Sequence, residues 1–333
     1  MTENYTLPDA PPLPGLTFRP LVGVSDADTL AAIHIARAEH DGVDPLSTTE
    51  SIWTRADFVK SLDAMVEAGS SDRTILAEID GRGIGYNRFF DWIESDGTHV
   101  WLIVGWVLPE WRGRGVGTAL LQWSERRIRE LAAGHPDRWE FAANATSTEP
   151  QSADLLRDNG YTVAYTVLEM GLDWDAFAPA TNLPSGIEMR PAGAGHAGKI
   201  AASVDESYAG EYDGGRFAER FDPADYAAEL AGEEYDATLW RVAWAGSEVV
   251  GQVIPRIQRG RAEIYEVSVR PAWRRGGIAR ALLSEAILEL HRREVEHVRL
   301  HTVAEFRTRA VDLYESVGFH TLKEFLRYRK PSG

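Results

Sequence analysis

The stretch RGRGVG, Arg112 to Gly117, lies between an apolar run, VWLIVGWVL (100–108), and a segment with helical periodicity, VGTALLQWSERRIRELAA (116–133). A near copy, RRGGIA, stands at Arg274 to Ala279. A glycine-rich turn from strand to helix is a phosphate-binding device, because the first N–H groups of the helix are unpaired and that end carries partial positive charge. Glycine also serves such a turn for geometry alone, so one loop by itself decides little.

The flanks settle more. VLPEWRGRGVGTALL from Val107 aligns with VRPAWRRGGIARALL from Val269 at a constant offset of 162, which pairs Arg112 with Arg274, Gly115 with Gly277 and Gly117 with Ala279. FRP at Phe18 recurs as MRP at Met189, AEIDGRGIGY from Ala77 as AWAGSEVVGQ from Ala243, and SADLLRDNGY from Ser152 as RAVDLYESVGF from Arg309. A period of this length is a whole domain rather than a solenoid repeat. Each copy reads as an opening strand, polar helical material (26–68; 192–230), a strand meander, the glycine loop with its helix, then strand, short helix and final strands. That order predicts a mixed α/β sheet, antiparallel early and parallel late. The expected division is a mobile proline-rich leader over 1–14, a first copy over 15–174, a linker over 175–186 around DAFAPATNLPSG, and a second copy over 187–333.

Composition bounds the function. The 333 residues include no cysteine, which excludes disulfides, thiolate metal sites and a thiol nucleophile and fits a reducing cytoplasm. A formal charge of −16 opposes nucleic-acid binding. No apolar run reaches the roughly 20 residues of a membrane helix. His297 and His301 stand four apart, but within the strand pattern HVRLHTV, where that spacing spans about 13 Å, so no metal site is expected. There is no Gly-Lys-Ser/Thr for a P-loop and no GxSxG nucleophile, and neither copy ends the strand after its loop helix with the acidic residue of a dinucleotide fold.

The order strand, Pro, two residues, Arg-x-x-Gly-x-Gly/Ala, helix, followed by a Leu-Tyr-Glu…Gly-Phe segment, resembles the GNAT superfamily of acyl-CoA-dependent N-acetyltransferases. The resemblance implies two tandem GNAT-like acyl-CoA N-acyltransferase domains with acetyl-CoA as co-substrate. It assigns the coenzyme to Val107, Arg112, Gly113, Arg114, Gly115, Val116 and Gly117 in the first copy. In the second it assigns Val267, Ser268, Val269, Arg274, Arg275, Gly276, Gly277, Ile278, Ala279 and Arg280. An AEI tripeptide makes Glu263 the general base, and the Leu-Tyr-Glu match makes Tyr314 the acid that protonates the leaving thiolate. An edge-strand charge and a half-buried core tyrosine are the bland alternatives. Glu266 reads as a weaker candidate, because strict alternation points it away from Glu263. Arg307 replaces an asparagine common in the family, which removes one expected coenzyme contact.

The offset sets Trp101, Val104 and Leu156 against Glu263, Glu266 and Tyr314, so the first copy is expected to be non-catalytic. Between Asp205 and Asp236 eleven acidic residues face two basic ones, interleaved with Tyr208, Tyr212, Phe217, Phe221, Tyr226 and Tyr235. That composition fits either a solvated helix face or a lining for a cationic amine. The expected partner is a small-molecule amine, the chain being a monomer or homodimer. A non-catalytic acyl-CoA sensor is the alternative function.

Overall fold

The computed structural model describes residues 4–332 apart from 48, 95, 134–137, 181, 210–222, 232–235, 259 and 307. The chain forms two compact units, residues 1–165 with 325–333 and residues 166–324.

In the N-terminal unit β1 (Leu16–Arg19) leads to α1 (Ala27–His40) and α2 (Arg55–Glu67), then to the meander β2 (Thr74–Ile79), β3 (Arg82–Ile93) and β4 (His99–Val107). α3 (Val116–Ala132), β5 (Trp139–Thr146) and α4 (Pro150–Asp158) follow. Thr54 starts α2 with a capping box, its side chain accepting from the Asp57 N–H while the Asp57 carboxylate accepts from the Thr54 N–H. The first four strands pair antiparallel, and β4 pairs parallel with β5. Then comes β6 (Thr162–Leu172). The second unit repeats the order: β7 (Ile187–Arg190), α5 (Ala197–Tyr208), α6 (Pro223–Ala231), β8 (Arg241–Ala245), β9 (Glu248–Gln258), β10 (Arg261–Val269), α7 (Ile278–Arg292), β11 (His297–Val303), α8 (Ala310–Val317) and β12 (Phe319–Pro331). Its parallel pair is β10 with β11. The mixed α/β sheet expected from the repeat is present in both units.

The boundaries differ from those expected. In the N-terminal unit β5 pairs with the end of the chain, β12, from Phe325 opposite Thr146 to Pro331 opposite Glu140. In the other unit β11 pairs with β6, from Val167 opposite Val303 to Gly171 opposite Arg299. Residues 166–174 therefore belong with the second unit, and 325–333 with the first. Burial enforces the exchange: Tyr328 is fully enclosed in the core with Leu120, Ile128 and Phe141, and Met170 is fully enclosed with Leu282, Ile287 and Leu300. Full burial of one such side chain contributes about 1.5–3 kcal/mol.

Leader and linker are also packed rather than free. The Tyr5 N–H donates to the Phe18 carbonyl at 2.7 Å, the Tyr5 ring lies 5.0 Å from that of Trp123, and Leu7 is buried. Along the second unit the Trp174 indole donates to the Glu296 carbonyl at 2.8 Å and the Ala180 N–H to the Ser284 hydroxyl at 3.0 Å. Apolar side chains in both segments find a core to enter, and proline content did not prevent it.

Candidate active site

Both units open the same gap. β4 and β5 are paired only from His99–Trp139 to Ile103–Ala143, and β10 and β11 only from Arg261–His297 to Ile264–Leu300. Beyond those points the parallel strands part, so Val104–Val107 and Val267–Val269 keep pairing partners on one side alone. Backbone groups left open in this way suit an extended amide-containing chain such as pantetheine.

The glycine loops stand at the ends of those strands. Gly115 (φ 86°) and Gly277 (φ 85°) occupy the N-cap positions of α3 and α7 in the left-handed region. Neither helix receives a side-chain cap, so its first N–H groups stay available to an anion. Gly113, Arg114, Gly115, Arg275, Gly276 and Gly277 are exposed, while Val116 and Ile278 turn into the core. A Cβ on Gly117 would sit 3.3 Å from Leu155, whereas the second copy accommodates Ala279.

The two leading arginines are held by groups of the protein itself. Arg112 donates to the Val107 carbonyl at 3.1 Å and grips the Asp41 carboxylate through both terminal nitrogens at 2.6 and 2.8 Å. Arg274 donates to the Val269 carbonyl at 3.0 Å and to the Ser207 carbonyl at 2.5 Å. Each guanidinium clamps the loop to the strand before it, because a half-buried cation beside a buried acceptor is held there. Arg280 likewise donates to the Ser316 carbonyl at 3.1 Å, tying α7 to α8. Arg114, over the Trp111 ring at 4.9 Å, and Arg275 remain at the loop surface.

On β10 the alternation argument fails at one residue. Opposite β9, Ile264 faces Pro255 and Glu266 faces Ile254, so Tyr265 is an extra residue in a bulge. Glu263 faces Arg256, and Arg256 and Ile254 lie two apart on β9, so Glu263 and Glu266 share a face. That face looks toward α5 and α6: Arg256 binds Glu229, and the Tyr208 hydroxyl donates to both oxygens of Glu266 at 3.2 and 3.3 Å. β4 has no such insertion, since Leu102, Ile103 and Val104 pair without a break with Phe90, Phe89 and Arg88. By face, the residue matching Glu263 is therefore Leu102, not Trp101.

Three groups in the second unit can move protons. Glu263, with its side chain 31% exposed, lies 3.1 Å from Nδ1 of His301. Burial pushes the Glu266 carboxyl up to about 7, against the lowering pull of hydrogen bonds from Ser268 and Tyr208 and of the Arg256 charge. Tyr314 is buried, which raises its hydroxyl well above the ordinary value, and the Glu266 charge raises it further. Among the described residues the Tyr314 hydroxyl makes no hydrogen bond, so its proton is uncommitted. Arg307, Tyr212, Phe217, Phe221 and Tyr235 lie outside the described residues, as does much of the acidic stretch; Tyr226 is buried with Trp240.

The model of the acetyltransferase (GNAT) family matches residues 40–161 and 202–319, well over half the chain. The chain belongs to the GNAT acetyltransferase family. Similar proteins include the mycothiol acetyltransferases of Thermobispora bispora, 29% identical over 92% of this chain and 96% of that protein, and of Kineococcus radiotolerans, 30% identical over 87% and 92%. Among solved structures, a GCN5-related N-acetyltransferase from Sphaerobacter thermophilus covers 98% of this chain and 97% of its own, with a TM-score of 0.71 and 26% identity. A tandem GNAT protein from the clavulanic acid biosynthesis pathway covers 96% and 99% with a TM-score of 0.62 at 18% identity, a likeness of fold. GNAT enzymes use acetyl-CoA as co-substrate, and the open strands and uncapped glycine turns fit it in both units. No described helix is long and apolar enough to cross a membrane.

The N-terminal GNAT unit holds a feature the sequence did not announce, a cavity of about 640 Å³ running from Gly113, Gly115 and Gly117 through the strand gap to the face under α1. Its wall there includes His34, Arg37, Trp53, Arg88, Trp106 and Arg327. His34 lies 2.8 Å from the Tyr86 hydroxyl, and burial, with Arg37 and Arg88 adding, pushes its imidazole down to about 3, so it is neutral at pH 7. Arg37 is held by Glu149 at 3.0 Å and Glu50 at 3.4 Å. These residues come from α1, the loop before α2, β3, β4 and β12, a set with no common spacing.

Proposed function

We propose that the chain moves an acetyl group from acetyl-CoA to a primary amine of a small cationic molecule by direct transfer in the second unit. Glu263 takes the proton as the amine nitrogen attacks the thioester carbonyl. The C–S bond then breaks, and Tyr314 gives its proton to the departing sulfur. The supporting observation is a pair of same-face carboxylates on β10 about where it parts from β11, the inner one, Glu266, acting by its charge on a buried tyrosine with an uncommitted proton. Val267, Ser268 and Val269 with the Arg275–Ala279 turn are the proposed coenzyme contacts there, and Val107 with Gly113–Gly117 the corresponding ones in the N-terminal unit. The carboxylates and the charge of −16 favour a cationic acceptor.

A second assignment of the base has its own support: Glu266 is held near 7 and its charge reaches Tyr314. A base poised near the working pH is the more effective one.

The test is release of free coenzyme A thiol from acetyl-CoA across a panel of primary amines, beginning with the mycothiol-type acceptors for which the relatives are named. Amine-dependent release supports the proposal. Tight coenzyme binding with no release by any amine would favour an acyl-CoA sensor instead.

A further inference from the structure

The wall of the N-terminal cavity carries the arginines Arg37, Arg88, Arg112 and Arg327 and the carboxylates Glu50, Glu149, Asp154 and Asp158. These charges are unevenly paired, Asp154 being bound by Arg157. Of the arginines on its wall, Arg37 is neutralised by Glu149 and Glu50, and Arg112 by Asp41. Arg88 and Arg327 have no carboxylate partner among the described residues. Arg88 stands between aromatic rings, its guanidinium 4.6 Å from the Trp53 ring and 5.0 Å from that of Phe90. One terminal nitrogen donates to the Ser61 hydroxyl at 2.9 Å, and its Nε is buried with no acceptor. Arg327 sits opposite Asn144 in the β5–β12 pair and, with that amide oriented to satisfy both groups, donates to its oxygen at 3.0 Å. Burial lowers the affinity of both guanidinium groups for their protons, which marks each cation as costly to keep there.

A guanidinium whose faces are covered by rings still presents its N–H edge in plane, the geometry that matches a carboxylate. Arg88 and Arg327 share one face: Arg88 is on the Trp53 side of β3, and Arg327 is out of phase with the core residue Tyr328. The cavity's other end is the uncapped glycine turn, and its volume lies within the roughly 300–1,000 Å³ range of small-molecule sites.

We infer that this cavity is a binding site for a small carboxylate-bearing molecule, gripped by Arg88 and Arg327 at the end away from the glycine turn. The carboxylate has two sources to distinguish, the tip of a dicarboxylic acyl group on coenzyme A or a separate small acid beside the coenzyme. The inference does not depend on which unit performs acetyl transfer, because its readout is binding.

Calorimetric titration of the full chain tests it. In one arm succinyl-CoA is compared with butyryl-CoA, which has the same chain length without the charge. In the other, glutarate is compared with glutaramide, which has no carboxylate, in the presence of coenzyme A. In at least one arm the charged probe is expected to bind one site per chain about 10-fold or more tighter than its neutral counterpart, the scale of one charge-assisted bidentate contact. Arg88→Met and Arg327→Met should each erase that preference, with Arg327→Lys retaining part of it. Should Arg88→Met fail to fold, Arg327→Met carries the comparison, with thermal melting as the check. A preference in the first arm assigns the carboxylate to the acyl group, and one in the second to a separate acid. No preference in either arm, or a preference unchanged in the folded variants, overturns the inference.

Discussion

Glu266 is the residue at which local chemistry and the reaction meet. Its carboxyl is buried and titrates near 7, above the roughly 4.3 of an unfolded glutamate. A raised folded-state value means that the protonated form is favoured on folding. The stabilisation is complete below the unfolded value and is lost as pH rises through about 7. Glu266→Gln should therefore leave thermal stability at pH 4 unchanged and raise it at pH 8 by an amount on the order of 3 kcal/mol. The same substitution separates the two candidate bases. An acidic limb near pH 7 in the rate profile that persists in Glu263→Gln and disappears in Glu266→Gln assigns the base to Glu266. Loss of turnover confined to Glu263→Gln keeps it at Glu263. At this scale the sequence was informative about residue type: Glu263 lies on β10 one residue before it parts from β11, and Tyr314 is buried on α8 within reach of the Glu266 charge. Arg88 and Arg327 were invisible, since an arginine on a strand carries no sign of whether a carboxylate awaits it.

Among the elements, the two strand–turn–helix segments were the most legible. Gly113, Gly115 and Gly277 sit at left-handed positions, Arg275 takes the one matching Gly113, and both helices begin where the periodicity begins. What pattern could not supply was the bulge at Tyr265. β4 and β10 each span nine residues, and the insertion shows only in pairing with β9. That one residue reverses the relative orientation of Glu263 and Glu266 and gives the second unit a pair of carboxylates on the face toward α5 and α6. The turn itself is testable. Gly277→Ala forces a side chain to φ near 85°; left-handed geometry costs a non-glycine residue about 1–2 kcal/mol. The expected result is roughly 10-fold weaker acetyl-CoA binding in the second unit by calorimetry, from a turn that no longer holds its N–H groups in place.

For the whole molecule, the repeat revealed two copies of one fold but not which strand completes which unit. Duplication itself hides the answer, because β6 and β12 descend from equivalent positions and either can pair with β5 or β11. Pairing of β5 with β12 predicts that deleting residues 325–333 strips hydrogen-exchange protection from the β5 amides while β11, paired with β6, keeps its own. The loss includes Tyr328, fully buried, and the Arg329–Glu94 ion pair at 3.0 Å. By the same logic, cutting the chain between 174 and 187 yields two fragments that each lack a final strand, so the units are best compared by substitution within the full chain.

The central claim is that proton transfer takes place in the second unit. Its most direct measurement is the turnover of Tyr314→Phe in the full chain, with acetyl-CoA binding followed in parallel. The account predicts a kcat lowered about 100-fold or more, the usual contribution of a positioned acid, with binding stoichiometry unchanged. Full turnover by Tyr314→Phe, with the protein folded and the coenzyme bound, would contradict it.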